Sequence, residues 1–170
     1  MSPSQNKAPV YFNDFEEQIT AWPKPIVLTH LGGDTFFTLI QHPHCIEARW
    51  SGHITADDVI TASKVYLSVL QKCHTPRLYN DKTGATGDWQ EANDWLEFEW
   101  MPKAVQAGLR CLAHVYSDNM FSRLSARDLY ARLTPNLQMQ NFHNQEEAWE
   151  WLKGCVMKQV PGRNPRTEAS

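Results

Sequence analysis

The sequence predicts a single α/β domain in which an antiparallel β start feeds a βαβαβα unit, giving one mixed sheet with helices packed on it. Two observations carry that expectation. Three runs of strand length crowd the beginning, at residues 26–31, 35–41 and 45–51, separated by Gly32-Gly33-Asp34 and His42-Pro43-His44. Breaks of three residues containing glycine or proline are hairpin signals. Beyond them, strand-length runs alternate with stretches whose apolar residues recur every three or four positions. A chain of 170 residues suits one hydrophobic core better than two.

Taken in order, residues 11–25 place Phe12, Phe15, Ile19 and Trp22 at helical spacing before Pro23 and Pro25, so a short amphipathic helix is expected there. In the third β run, Ile46, Ala48 and Trp50 alternate with Glu47 and Arg49, the pattern of a half-buried strand. Four later helices each announce a start with an acceptor side chain and an acid three residues on: Thr55 with Asp58, Asp88 with Glu91, Ser125 with Asp128, and Asn144 with Glu147. These are loose capping boxes. The stripes that follow are Val59, Ala62, Tyr66 and Val69; Ala92, Leu96, Trp100 and Ala104; Leu129, Tyr130 and Leu133; and Ala148, Trp149, Leu152 and Cys155. Strands are expected at 77–83, 111–117 and 137–143, parallel and joined by right-handed crossovers. The middle one is apolar on both faces apart from His114, as a covered central strand would be. The domain proper spans 26–157. Residues 1–10 and 158–170, rich in Ser, Asn, Pro, Lys and Arg, are expected to be disordered.

Charge and composition exclude several classes. Sixteen basic against nineteen acidic residues give a net charge of -3, with no clustered footprint for nucleic acid or an anionic membrane. The start, MSPSQNKAPV, lacks the apolar core of a signal peptide, and no run approaches the length that spans a bilayer, so a cytoplasmic protein is expected. Cys45, Cys73, Cys111 and Cys155 lack CxxC spacing and read as small buried hydrophobes in a reducing compartment. His42-Pro43-His44-Cys45 offers three metal ligands in four residues, but no second cluster joins them, so a hairpin turn with exposed imidazoles is expected and no metal. Neither GxSxG nor HExxH occurs, and the acidic pairs Glu97 with Glu99 and Glu146 with Glu147 fit solvated helix faces. His114 reads as a core histidine with a backbone partner.

Two places remain where function would sit. The first is the stretch from Asn80 to Asp88, read as a loop at the end of a core strand, with Asn80, Asp81, Lys82, Thr83 and Thr86 as its ligand or regulatory residues, two glycines, and a helix start after it. Its glycine spacing fits neither the Walker loop nor the dinucleotide fingerprint. The second is a Trp-rich helix with a second stripe, Trp95, Phe98, Met101 and Val105, which must meet the N-terminal helix, a second subunit or an apolar ligand.

The order of elements, the run EANDWLEFEWMPKAVQAGLRCLAHVYSD and the closing FHNQEEAWEWL resemble the SpoIIAA-like family, related to STAS domains and including members described as STAS/SEC14-like. The resemblance spans about residues 26–156. It implies a SpoIIAA-like single domain serving as a regulatory or binding module without a cofactor. In the anti-sigma-factor antagonists the loop before the second helix carries an Asp-Ser pair whose serine is phosphorylated. Here residues 79–88 hold no serine, and Thr83 or Thr86 is the available hydroxyl. The reading is therefore a non-enzymatic STAS-like module binding a partner protein or small ligand, with a homodimer through the aromatic helix as one arrangement. The SEC14-like label implies instead carriage of a lipid or other apolar small molecule, which calls for a deep cavity beside Trp95 and Phe98. An enzyme using Asp81 or His114 calls for a cleft at either group.

Overall fold

Six strands form one sheet in chain order: β1 (Ile26–Thr29), β2 (Thr35–Gln41), β3 (Ile46–His53), β4 (Arg77–Thr86), β5 (Cys111–Val115) and β6 (Gln138–Phe142). The structure is a computed structural model that describes residue 11, residues 15–134 and residues 136–155. β1, β2 and β3 pair antiparallel, and β3 to β6 run parallel. Connection length dictates the change, because breaks of five and four residues permit only a hairpin return, whereas parallel neighbours need a crossover.

The helices are α1 (Phe15–Thr20), α2 (Ala56–Cys73), α5 (Met120–Leu133), α6 (Gln145–Gly154) and a composite helix between β4 and β5. The composite joins a 3-10 turn (Gln90–Ala92), α3 (Asn93–Trp95), a π-helical segment (Leu96–Trp100) and α4 (Met101–Ala107). Pro102 explains the π segment. Its nitrogen has no hydrogen to give the carbonyl four residues back, and a helix relieves that by widening locally.

Strands that advance in one direction with same-handed crossovers send every crossover helix to one face. α2, the composite helix and α5 therefore share the larger core, around Phe37, Trp50, Val69, Leu70, Trp100 and Leu133. α6 follows the last strand and folds back over the other face, where Ala148 and Leu152 meet Tyr79, Ala113, Val115 and Phe142. β5 is covered from both sides and all five of its residues are buried. At the other end, Gln18 of α1 exchanges hydrogen bonds with the Val27 backbone, at 2.7 and 3.0 Å, while Phe15, Ile19 and Trp22 pack on the larger core. Phe12 and the two chain ends expected to be disordered lie outside the described residues.

Four expectations need correction. Thr55 and Asp58 form the reciprocal capping box, and Asn144 accepts from Glu146 N and Glu147 N. Ser125, however, lies buried inside α5 with its hydroxyl on the Phe121 carbonyl. That helix is capped six residues earlier, where the Asn119 side chain accepts from Ser122 N. At Asp88 the carboxylate accepts from Gln90 N, but the cap residue proper is Trp89. β4 continues to Thr86 because Ser51, Gly52 and His53 extend its partner strand, so most of the expected loop is strand. Cys111 and Cys155, finally, are joined by a disulfide, leaving Cys45 and Cys73 free. Disulfides are uncommon in reducing compartments, so cysteine usage gives no support to a cytoplasmic location. No helix among the described residues is long and apolar enough to cross a membrane.

Thr55→Ala removes the hydroxyl that accepts from Asp58 N and leaves the reciprocal bond from the Thr55 backbone N to Asp58; it is expected to lower stability by about 1 kcal/mol. Gly87→Ala is expected to cost more, because Gly87 has φ of 109° and an added Cβ would meet the Ile54 carbonyl. Urea midpoints of the two variants at a common slope check the order.

Candidate functional site

Alternation along β4 decides where the polar run points, since neighbouring side chains in a strand face opposite sides of the sheet. Asn80 and Lys82 face the helices of the larger core, and Tyr79, Asp81 and Thr83 face the side that α6 partly covers. Thr86 is exposed and pairs with His53 at the strand end, apart from both groups. The residues read as one loop site thus belong to two sites back to back.

On the inner side, Asn80 Oδ1 accepts from Trp50 Nε1 at 2.7 Å and Asn80 Nδ2 donates to His114 Nδ1 at 3.0 Å. The second bond leaves the imidazole hydrogen on Nε2. The partner of His114 is therefore a side chain and not the expected backbone group. Lys82, 2% exposed, holds its Nζ 3.3 Å from the Trp89 ring centre and 4.6 Å from that of Trp50. Trp89 is fixed in turn by Ser122, whose hydroxyl accepts from its Nε1 at 3.1 Å. Among the described residues, no carboxylate ion-pairs with Lys82. Burial pushes the Lys82 ammonium well below its usual range, and burial followed by the nearby Lys82 charge does the same to His114. Beside this cluster lies a void of about 40 Å³, also lined by Tyr66 and Trp100. Tyr66 Oη and Trp100 Nε1 are buried without a hydrogen-bond partner.

On the outer side an open cleft of about 790 Å³ runs between α6 and β3–β4. Asp81 forms part of its floor, where Oδ1 accepts from the Thr83 backbone N at 2.9 Å and from Thr83 Oγ1 at 2.7 Å, while Oδ2 accepts from Gln145 Nε2 at 3.0 Å. That last bond ties β4 to the first turn of α6. Glu47 takes His42 Nε2 at 2.8 Å and Arg49 Nη2 at 2.9 Å. Trp149 forms a wall, with Tyr79 and His42 each edge-on to it at 5.3 Å. Burial foremost, with the neighbouring Asp81 and Glu47 charges, raises the Tyr79 hydroxyl above its usual range. Four carboxylates line the cleft, from Glu47, Asp81, Glu146 and Glu150, against one guanidinium, that of Arg49.

The family model described as SpoIIAA-like matches residues 45–153, well over half the chain, including most of the residues of both sites. The chain belongs to the SpoIIAA-like family. A search of curated proteins finds no match. Among solved structures, the anti-sigma factor antagonist SpoIIAA in its unphosphorylated form is similar, with a TM-score of 0.50 and 12% identity over 70% of this chain and 99% of that one. At that identity the likeness speaks for the fold. SpoIIAA-like domains are typically regulatory binding modules, and the place that the resemblance assigned to a phosphorylated serine is occupied here by the paired end of β4.

The second stripe of the Trp-rich helix does not form one surface. Met101 is buried, Trp95 and Val105 are half-buried against the larger core, and only Phe98 stands out, at 68% exposure. A π turn takes more residues than an α turn, so positions before Leu96 and after Trp100 lose the register that constant spacing assumes. The void lies on the Leu96 and Trp100 side of this helix and admits a few water-sized groups. It has no room for an acyl chain. Asp81 and His114 lie on opposite faces of the sheet, each bonded within the fold. No group of three His, Cys, Asp or Glu among the described residues is placed to hold a metal. Sequence reasoning missed the cleft wall, Trp149 with Glu47 and Arg49, because its parts lie far apart in the chain. It also missed Met120, Phe121 and Leu124, exposed on the first turns of α5; their spacing of one and four residues was the available signal.

Asn80→Leu keeps the size but strands Trp50 Nε1 and His114 Nδ1, at an expected cost of about 1–3 kcal/mol for each orphaned group. His114 titrates lower in the fold than its unfolded value of 6.5. The unfolded chain therefore binds the extra proton first, so the neutral imidazole's contribution is complete above that value and is lost as pH falls below it. His114→Gln is expected to flatten the decline in stability between about pH 7 and about pH 5, read as the difference from wild type in urea midpoints.

Proposed function

We propose that this SpoIIAA-like chain is a non-enzymatic regulatory module that binds a partner protein through the outer cleft, taking from it a cationic side chain flanked by apolar atoms. The observation that carries the reading is the cleft itself, about 790 Å³ with four carboxylates against one guanidinium and walls of Trp149 and Tyr79. An arginine or lysine entering it meets negative charge on the floor and an indole on the wall, and both attract a cation. The solved relative, an anti-sigma factor antagonist, supports a regulatory role. The four residues read as a dimer surface supply no continuous face, so self-association through them is not part of the reading.

Titration of a blocked Arg-Trp-Arg tripeptide, followed by backbone NMR shifts, tests this. Shifts are expected to cluster at Trp149, Gln145, Thr83 and Arg49, and to shrink as salt rises. Trp149→Ala is expected to weaken binding roughly tenfold, about 1.4 kcal/mol. Equal binding of the Glu-Trp-Glu control, or shifts elsewhere on the surface, would overturn the reading.

A further inference from the structure

The last described residue, Cys155, is pinned in place. The disulfide ties it to Cys111 at the start of β5, and Arg77 Nη2 donates to its carbonyl at 3.2 Å. Arg77 opens β4, the strand that gives the outer cleft its Tyr79, Asp81 and Thr83, and alternation puts Arg77 on that same face. The chain therefore leaves the fold at one end of the cleft. Residues 156–170, VMKQVPGRNPRTEAS, lie outside the described residues and carry Lys158, Arg163 and Arg166 against one acid, Glu168. On the cleft side, Glu47 and Asp81 are engaged within the fold, while Glu146 and Glu150 stand exposed along α6. Glu150 reaches Lys153 at 3.7 Å, and the Glu146 carboxylate has no ion pair among the described residues.

We propose that residues 158–166 of this chain are an intramolecular occupant of the outer cleft, with Arg163 entering beside Trp149 and Glu146, so that a partner binds only by displacing them. The inference rests on the reading of that cleft as a site for a cationic side chain. Reach is sufficient. Glu146 lies nine helical residues back from Cys155, about 14 Å, whereas Arg163, eight residues beyond it, can lie up to about 27 Å away. The slack accommodates a turn, which Pro161-Gly162 favours. Charge matches as well, a basic segment meeting a cleft with four carboxylates and one guanidinium. A tether this short holds the cation near the cleft at an effective concentration in the millimolar range, so a weak contact is enough. The other end of the chain does not qualify, because residues 1–10 hold a single lysine and lead into Tyr11, which packs on the larger core across the sheet.

In 15N-labelled full-length protein, Lys158→Gln, Arg163→Gln and Arg166→Gln made together are expected to displace the Trp149 indole signal and the backbone signals of Thr83 and Gln145. Gln145 opens α6 and Thr83 lies six residues along β4 from Arg77, so both are far from the exit point and report the cleft itself. Rising salt is expected to move the wild-type signals toward the positions found in the triple variant. Arg163→Gln alone is expected to give the larger part of the displacement, and it serves by itself should the triple variant fail to fold. The triple variant is also expected to bind the Arg-Trp-Arg tripeptide severalfold more tightly than wild type, because its cleft is free. Saturable tripeptide binding of equal affinity in both proteins, or Thr83 and Gln145 signals that stay in place, overturns the proposal and leaves the cleft reading intact. Displaced signals with no tripeptide binding to either protein uphold the segment as occupant and overturn the partner reading instead. Displacements that change with protein concentration mean that the segment of a second copy fills the cleft, and overturn the intramolecular contact.

Discussion

Three consecutive polar residues, Asn80, Asp81 and Lys82, occupy a strand that is covered on both faces, and all three are buried. A buried polar group without a partner costs several kcal/mol, and a buried charge more. The neighbourhood of β4 is arranged around that cost. Trp50 from β3 and His114 from β5 approach Asn80 from the two flanking strands, so one side chain links three strands on the inner face. Asp81 on the outer face recruits Gln145 and so sets where α6 begins. Lys82 is housed between two indoles, one of which α5 fixes through Ser122. Helices on both faces are thus positioned partly by the needs of a single tripeptide.

That dependence explains what was legible in the sequence. The six strands, the parallel crossovers and most helix stripes follow from local periodicity, and Ala92, Leu96, Trp100 and Ala104 are buried as their spacing implies. The polar run looked like a loop because polarity in sequence ordinarily signals solvent. Here its partners lie about thirty residues or more away along the chain, as Trp50, His114 and Gln145 do, and no local pattern announces them. Alternation over the expected strand at 77–83 was enough to separate Asn80 and Lys82 from Asp81 and Thr83, and the structure extends that strand to Thr86. The extension rests on the pairing of Ser51, Gly52 and His53 with Gly84, Ala85 and Thr86, a long-range fact. Ser125 was mistaken for a cap for a related reason. A serine followed by an acid occurs inside helices too, and the true start, at Asn119, ends its capping pattern in Ser122 where an acid was sought.

The family likeness and the residues pull apart at the switch. A hydroxyl that is to be modified needs to stand clear of the sheet. Thr83 is exposed, yet its Oγ1 is held by Asp81 at 2.7 Å, and two added negative charges there would press against that carboxylate. Thr86 lies free of that carboxylate but at a paired strand end. The outer face therefore favours recognition by the cleft as it stands over the charge-driven switching that the family resemblance implies.

Lys82 sets two effects of opposite sign against each other. Removal from water disfavours the ammonium by several kcal/mol. Each indole face, at the short distances found here, restores up to about 2 kcal/mol, and the face of Trp89 is the nearer by more than an ångström. The rings alone bring the charged form close to balance without securing it.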